Sequence, residues 1–271
     1  MPDVGAVPSV AQALRDAAAR LAASSDTPRL DAELLLAEAL GVRREQLVLD
    51  ANEELGPEAF RAFEALVLRR QACEPVAYIL GRKEFRRITL CVDRRVLIPR
   101  PETELLVEIG LTLPRGASVV DVGTGSGSVA LALKDERPDL DVWGTEVDPG
   151  ALAVARANAD RLGIEVEFVQ ADLLEGVSRR FDAVLGNLPY VAEGSDLPPD
   201  IGYEPDLALF GGPDGLDPVR RLLPAVAEVP LVALEVGLAQ AAASLLQEAG
   251  FRSVERLRDL AGHERVVVGR R

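Results

Sequence analysis

Cysteine and histidine are nearly missing from this 271-residue chain, which has only Cys73, Cys91 and His263. No CxxC pair occurs, so neither a disulfide framework nor a Cys/His metal site is expected, and the two thiols read as free and buried. With no serine or cysteine elbow to partner it, His263 beside Gly262 reads as a turn residue, which rejects a hydrolase triad. No uninterrupted apolar run approaches the ~18 residues needed to span a bilayer, so no membrane partner is expected. The first twenty residues lack a basic lead followed by an apolar core; no secretory signal is evident, and a cytoplasmic protein is expected. Lysine is confined to Lys83 and Lys134, leaving arginine to carry the positive charge.

The formal net charge is −14, which disfavours a general phosphate-backbone binder, and no stable nucleic-acid partner is expected. Residues 81–100 run against this balance, with Arg82, Lys83, Arg86, Arg87, Arg94, Arg95 and Arg100 against Glu84 and Asp93. They read either as a solvated hairpin surface or as a patch for an acidic or phosphate-bearing partner. Hydrophobic residues at 48% and charged ones at 27% suit a folded chain with a sizeable core.

Residues 1–81 read as helices without evident chemistry. Ser9 can cap a helix with Val10, Leu14, Ala17 and Leu21 on one face. Pro28 opens a second, with Leu30, Leu34 and Ala37 inward and Gly41 as its stop. Pro57 opens a third, with Phe60, Phe63 and Val67 inward. Residues 82–100 change period: Phe85, Ile88, Leu90, Val92, Val96 and Ile98 are β-formers broken by a charged turn near Asp93 and Arg94, which predicts a hairpin linker. Pro99 and Pro101 stiffen the chain before a helical stretch, Glu102–Leu113. From Ala117 onward strands and helices alternate, and the last two strands lack a helix between them. Residues 101–271 therefore read as an α/β domain with a doubly wound, mostly parallel sheet ending in an antiparallel hairpin.

The sequence Asp121-Val-Gly-Thr-Gly-Ser-Gly127 follows the first strand of that domain and opens a helix. Small residues let backbone approach a ligand closely, and the helix start offers free N–H groups. Gly123, Thr124, Gly125, Ser126 and Gly127 are the expected contacts. The spacing is GxGxG, whereas dinucleotide enzymes use GxGxxG; the alternating form suits a ligand without pyrophosphate, such as S-adenosyl-L-methionine. Glu146 ends the next strand, where a carboxylate can accept from both ribose hydroxyls. Asp172, after the third strand, can take an adenine amino group or serve as an ordinary strand-end cap.

The strand Phe181–Gly186 runs into Asn187-Leu188-Pro189-Tyr190, beside the ligand crevice. An amide nitrogen is a poor nucleophile because its lone pair is delocalised into the carbonyl. Asn187 Oδ1 and the carbonyl of Leu188 can each accept one N–H of such a group; Pro189 stiffens the turn, and Tyr190 offers a flat face to a planar target. An exocyclic adenine amine needs the same cradle, so a nucleic-acid adenine N6-methyltransferase is an alternative reading, as is a cofactor-binding module without catalysis.

RLDAELLLAEALG, EPVAYILGRKEF, LIPRPETELLVE, DVGTGSG, NLPY, YEPDLALFGGPDGLD and AGHERVVVG together resemble the HemK/PrmC family, the release-factor glutamine N5-methyltransferases, over nearly the whole chain. The resemblance implies a class I S-adenosylmethionine-dependent methyltransferase fold with a small N-terminal helical docking bundle. It also implies class 1 peptide chain release factors as partners, methylated on the glutamine of their GGQ motif; a ribosomal-protein glutamine is the nearer rival, which the LIPRPETE linker disfavours. By the same carry-over Gly123–Gly127, Glu146, Leu173 and Asn187 contact the cofactor and Asn187–Tyr190 hold the glutamine amide, with Tyr203, Glu204 and Pro205 near the site. The family usually carries NPPY; here Leu188 takes the second position, which would act through its backbone carbonyl.

Overall fold

The computed structural model describes residues 7–271. Contacts divide them into two compact units, one of residues 7–81 with Pro198–Tyr203 and one of Arg82–Leu197 with Glu204–Arg271.

The first unit holds helices α1 (Val10–Leu21), α2 (Pro28–Leu40), α3 (Gln46–Leu49), α4 (Pro57–Gln71) and α5 (Val76–Leu80). Ser9 caps α1 in a reciprocal box with Gln12, and Gly41 ends α2 in the left-handed conformation. Leu14, Leu21, Leu35, Leu36, Phe63 and Val67 form its core. The inward face of α2 differs from the expected one: Leu30 is 38% exposed, whereas Asp31, Ala32, Leu35 and Leu36 are buried. The reason is polar. Asp31 accepts from Arg70 Nε at 2.7 Å, Ser25 Oγ at 2.7 Å and Thr27 Oγ1 at 3.1 Å, which turns α2 to bring a carboxylate inside.

In the second unit β1 (Arg82–Phe85) and β2 (Ile88–Cys91) form the hairpin, with its tight turn at Arg86–Arg87 rather than near Asp93–Arg94. Arg86 takes the left-handed φ of +51° that a two-residue hairpin turn requires. Asp93 and Arg94 fall in a separate turn beyond β2, where Val96 N–H donates to Asp93 O. The thiols also differ from expectation, since Cys91 is exposed and Cys73 half-buried; on β2 the alternation places Ile88 and Leu90 inward and Cys91 outward.

A 3-10 turn, Pro101–Thr103, leads into α6 (Glu104–Leu111). The sheet strands are β3 (Ser118–Val122), β4 (Asp141–Glu146), β5 (Glu167–Gln170), β6 (Ala183–Asn187), β7 (Leu231–Glu235), β8 (Ser253–Arg258) and β9 (Glu264–Arg270). They lie in the order β5-β4-β3-β6-β7-β9-β8, parallel except for β9, which runs antiparallel to both of its neighbours. Helices α7 (Ser128–Glu136), α8 (Pro149–Leu162), α9 (Asp206–Leu209), α10 (Asp217–Leu222) and α11 (Ala239–Glu248) complete the unit. Every residue of β7 is buried, as expected of a strand covered on both faces. From β3 the chain winds outward through β4 and β5, then returns to β6 on the other side. That reversal puts a switch point between β3 and β6, the place where open α/β sheets form a crevice at their strand ends. Among the described residues no helix is long and apolar enough to cross a membrane.

Candidate functional site

The loop after β3 and the loop after β6 meet at that switch point and border a cleft of about 230 Å³. A single water needs only ~10–15 Å³ on this measure, so the space suits a much larger ligand. Gly123, Thr124, Gly125, Ser126, Glu146, Asp172, Leu173, Asn187, Leu188 and Pro189 all line it, whereas Gly127 and Tyr190 do not.

The glycine loop is held by its own neighbours. Thr124 Oγ1 donates to Asp121 Oδ2 at 2.6 Å, and the same oxygen accepts Ala130 N–H from the first turn of α7. Burial pushes the Asp121 carboxyl up to about 7, against the lowering effect of those two hydrogen bonds. Gly123, Gly125 and Gly127 all have positive φ, and a Cβ on Gly125 would meet nothing within 4 Å, so bare backbone faces the opening there. Gly125 N–H donates to Glu146 Oε2 at 3.0 Å and Asp148 N–H to Glu146 Oε1 at 3.0 Å, aiming the carboxylate across the strand end. Desolvation raises the Glu146 pKa, and these backbone donors oppose it. Behind the loop, Asn158 donates to Ser126 O and to Cys91 O, both at 3.0 Å, and accepts Cys91 N–H at 2.8 Å, which fixes the hairpin against the loop.

Farther along the cleft, Leu173 has a φ of +52°, which leucine rarely adopts. Asp172 Oδ2 accepts from Arg221 at 2.6 Å, a pair that the adenine expectation did not include. The cleft's charged lining is mainly acidic, with Asp121, Glu146, Asp148 and Asp172 against Arg95 and Arg221.

Asn187 ends β6 directly across from Glu235 at the end of β7. Asn187 Nδ2 donates to Thr103 Oγ1 at 3.0 Å, Thr103 Oγ1 donates to Glu235 Oε2 at 2.7 Å, and Tyr190 Oη donates to Glu235 Oε1 at 3.4 Å. Burial lifts Glu235 to about 7 and Tyr190 to about 12. The Leu188 side chain is buried beneath the glycine loop, 3.4 Å from where a Cβ of Gly123 would lie. Pro189 and Tyr190 rest on a glycine-lined wall: a Cβ on Gly211 would come within 2.3 Å of Pro189 O, and one on Gly215 within 2.1 Å of Tyr190 O. Those glycines need their missing side chains for backbone contact, a reason invisible in GGPDG read alone.

Pro205 lines the cleft, while Glu204 is buried, accepting Ile98 N–H at 3.0 Å and pairing with Arg100. Tyr203 instead donates to Ala72 O in the helical unit. Sequence reasoning did not single out Thr103, Asp121, Glu235 or Arg221. A signal existed for two: Asp121 begins the glycine motif, and Glu235 is an acidic residue at a strand end, as Glu146 is. The basic cluster is largely occupied internally, with Arg86 and Arg87 on Glu136, Arg95 on Asp93 and Arg100 on Glu204.

The PrmC N-terminal domain family matches residues 12–81, and the methyltransferase small domain family matches residues 101–201. The release factor glutamine methyltransferase of Deinococcus radiodurans is 40% identical over 271 residues, covering 95% of this chain and 97% of its own length. Its counterpart in Geobacter sulfurreducens is 40% identical over 256 residues, covering 90% of each chain. Among solved structures, a methyltransferase from Pyrococcus furiosus superposes with a TM-score of 0.52 at 21% identity, over 76% of this chain and 96% of that one. The hMettl16 catalytic domain gives 0.54 at 17% identity, over 79% and 81%. These two likenesses concern the fold, which is that of the class I methyltransferases. On identity held over almost its whole length, this chain belongs to the release factor glutamine methyltransferase family.

Proposed function

We propose that the protein transfers a methyl group from S-adenosyl-L-methionine to the side-chain amide N5 of the GGQ glutamine in class 1 peptide chain release factors. The observation that carries this reading is the meeting, in one cleft, of Gly123–Ser126 and Glu146 with Asn187, Leu188 and Pro189. The lining fits the donor. Bare backbone at Gly125 and a Glu146 carboxylate held by two N–H groups suit a ribose, and the acidic lining suits a sulfonium cation better than a pyrophosphate. When bound, S-adenosyl-L-methionine supplies a methyl group already activated on that sulfonium.

The remaining work falls to the protein. Gly123, Thr124, Gly125 and Ser126 hold the donor; Gly127 starts the helix behind them; Asp172, with one oxygen already shared with Arg221, and the strained Leu173 close the base end. Asn187 Oδ1 and the Leu188 carbonyl accept the two amide hydrogens and turn the nitrogen lone pair toward the methyl. Pro189 bounds the planar group, and Tyr190, outside the lining, ties the tetrapeptide to Glu235. Orientation rather than a strong base is what such a transfer needs.

In the cytoplasm, the proposed compartment, the helical unit grips the protein partner; Val48, Leu49 and Leu68, 77%, 78% and 61% exposed, support that grip. The internal pairing of Arg86, Arg87, Arg95 and Arg100 supports a protein target over nucleic acid. Co-incubation with a purified release factor and S-adenosyl-L-methionine, followed by intact-mass analysis and peptide mapping, tests the reading. One added methyl on the GGQ glutamine is expected; an unmodified factor, or methylation elsewhere, contradicts it.

A further inference from the structure

The polar chain behind Asn187 has a direction. Glu235 is 1% exposed, and an ionised carboxylate only accepts hydrogen bonds. Thr103 Oγ1, 2.7 Å from Glu235 Oε2, must therefore direct its one hydrogen to the carboxylate. Only its lone pairs remain to face Asn187, 3.0 Å away, so the amide must turn its NH2 group to Thr103. The reverse orientation would set Asn187 Oδ1 against a second acceptor. Oδ1 consequently points away from Thr103, and no protein donor among the described residues reaches it. Amide oxygen and nitrogen are otherwise hard to tell apart, and here the charge on Glu235 tells them apart.

We infer that Glu235 and Thr103 are positioning residues that fix the polarity of the Asn187 amide, so that it offers the substrate an acceptor rather than a donor. The inference deepens the function proposed above and rests on it for the identity of the substrate amide. A flipped Asn187 would meet the glutamine N–H with its own NH2 group, losing one of the two cradle contacts while leaving the donor end of the cleft intact. The Tyr190 hydroxyl, on the other oxygen of Glu235, ties the same carboxylate to the far end of the tetrapeptide.

The groups facing Glu235 are Glu102 and Thr103 from the 3-10 turn, Tyr190 from the loop after β6 and Arg265 from β9. Burial and Glu102 raise its pKa, Thr103, Arg265 and Tyr190 lower it, and the balance is about 7. Once protonated, Glu235 has a hydrogen of its own, and Thr103 is free to point toward Asn187. The polarity is thus enforced on the alkaline side of neutrality.

The test uses the full-length enzyme in single-turnover methyl transfer to a release factor at saturating S-adenosyl-L-methionine, across about pH 6–9. Thermal unfolding and cofactor titration accompany each variant. Thr103→Val should slow transfer about 10- to 100-fold, as a misplaced reacting group does, with cofactor affinity held within about twofold. Thr103→Ser, which keeps the hydroxyl, should recover most of the lost rate. Wild-type rate should climb through about neutral pH, and Glu235→Gln should be slow without that climb. A second readout needs neither substrate nor cofactor: the Asn187 side-chain amide resonances should shift in Thr103→Val. Transfer by Thr103→Val at the wild-type rate, or unshifted Asn187 resonances, overturns the inference. Failure of the wild type to methylate the release factor instead overturns the proposed function, and the resonances then decide the polarity alone.

Discussion

Around Glu146 the cleft is built by backbone: Gly125 and Asp148 N–H groups hold the carboxylate, one from the loop beside it and one two residues along the chain. Around Asn187 it is built by side chains, with Thr103 arriving from the 3-10 turn and Glu235 from the neighbouring strand. Backbone donors persist through most substitutions, so the first end depends on glycines and one carboxylate. Side-chain relays fail when any member is lost, so the second end is exposed to mutation at positions far apart in sequence. On the proposed reading, a locally encoded loop recognises the methyl donor, and a device that exists only after folding orients the poor amide nucleophile.

The sharpest way to separate the two ends is Asn187→Ala. On the proposed reading, single-turnover methyl transfer should fall by about 10²–10³, as loss of one preorganised polar contact can cause, while cofactor affinity changes far less. Gly215→Ala tests the wall behind the same end. Its Cβ would lie 2.1 Å from Tyr190 O, at a φ of +75°, so the tetrapeptide must move. A stability loss of at least about 1–2 kcal/mol from the backbone conformation alone is expected in chemical denaturation, together with slower transfer. At the other end, Glu146→Ala should weaken S-adenosyl-L-methionine binding by about 1–3 kcal/mol in calorimetry, the range for lost charge-assisted hydrogen bonds.

A different kind of effect is on stability against pH. Glu235 and Asp121 are both raised to about 7 in the fold from 4.5 and 3.8. A raised carboxyl pKa contributes stability below its unfolded value and loses it as pH rises through the folded one, so the window runs from about 4 to about 7. Thermal midpoints should decline across that window, and Glu235→Gln should flatten the decline; an equal slope in the variant would show that Glu235 is not the group concerned.

The difference between the two ends also explains what could be read in advance. Strand alternation, the caps at Ser9 and Gly41, and the Gly123–Gly127 turn rest on residues close in sequence, and they stand in the fold as the pattern implies. The inward face of α2 departs from the apolar pattern because Asp31 is drawn inside by Arg70, a partner 39 residues away. Charge in sequence points to a hairpin turn at Asp93–Arg94, whereas in the fold the left-handed Arg86 makes the turn. Residues 191–230 follow no long period, and Gly211 and Gly215 are required by their close approach to Pro189 O and Tyr190 O of the tetrapeptide. Thr103 lies within LIPRPETE and Glu235 ends a strand, but neither position reveals its role in sequence, since only the pairing of Asn187 with Glu235 across strands brings them together.

A crossed pair of measurements on Glu146→Ala, Asn187→Ala and the double variant tests the division of the cleft most directly. Each protein is titrated with S-adenosyl-L-methionine and then assayed for single-turnover transfer at saturating cofactor. The account predicts that the double variant binds cofactor as weakly as Glu146→Ala and transfers methyl as slowly as Asn187→Ala, with each defect within about 0.5 kcal/mol of its parent. If Asn187→Ala instead loses cofactor affinity to the same degree as Glu146→Ala, or keeps near-normal turnover, the amide cradle is not where this account puts it.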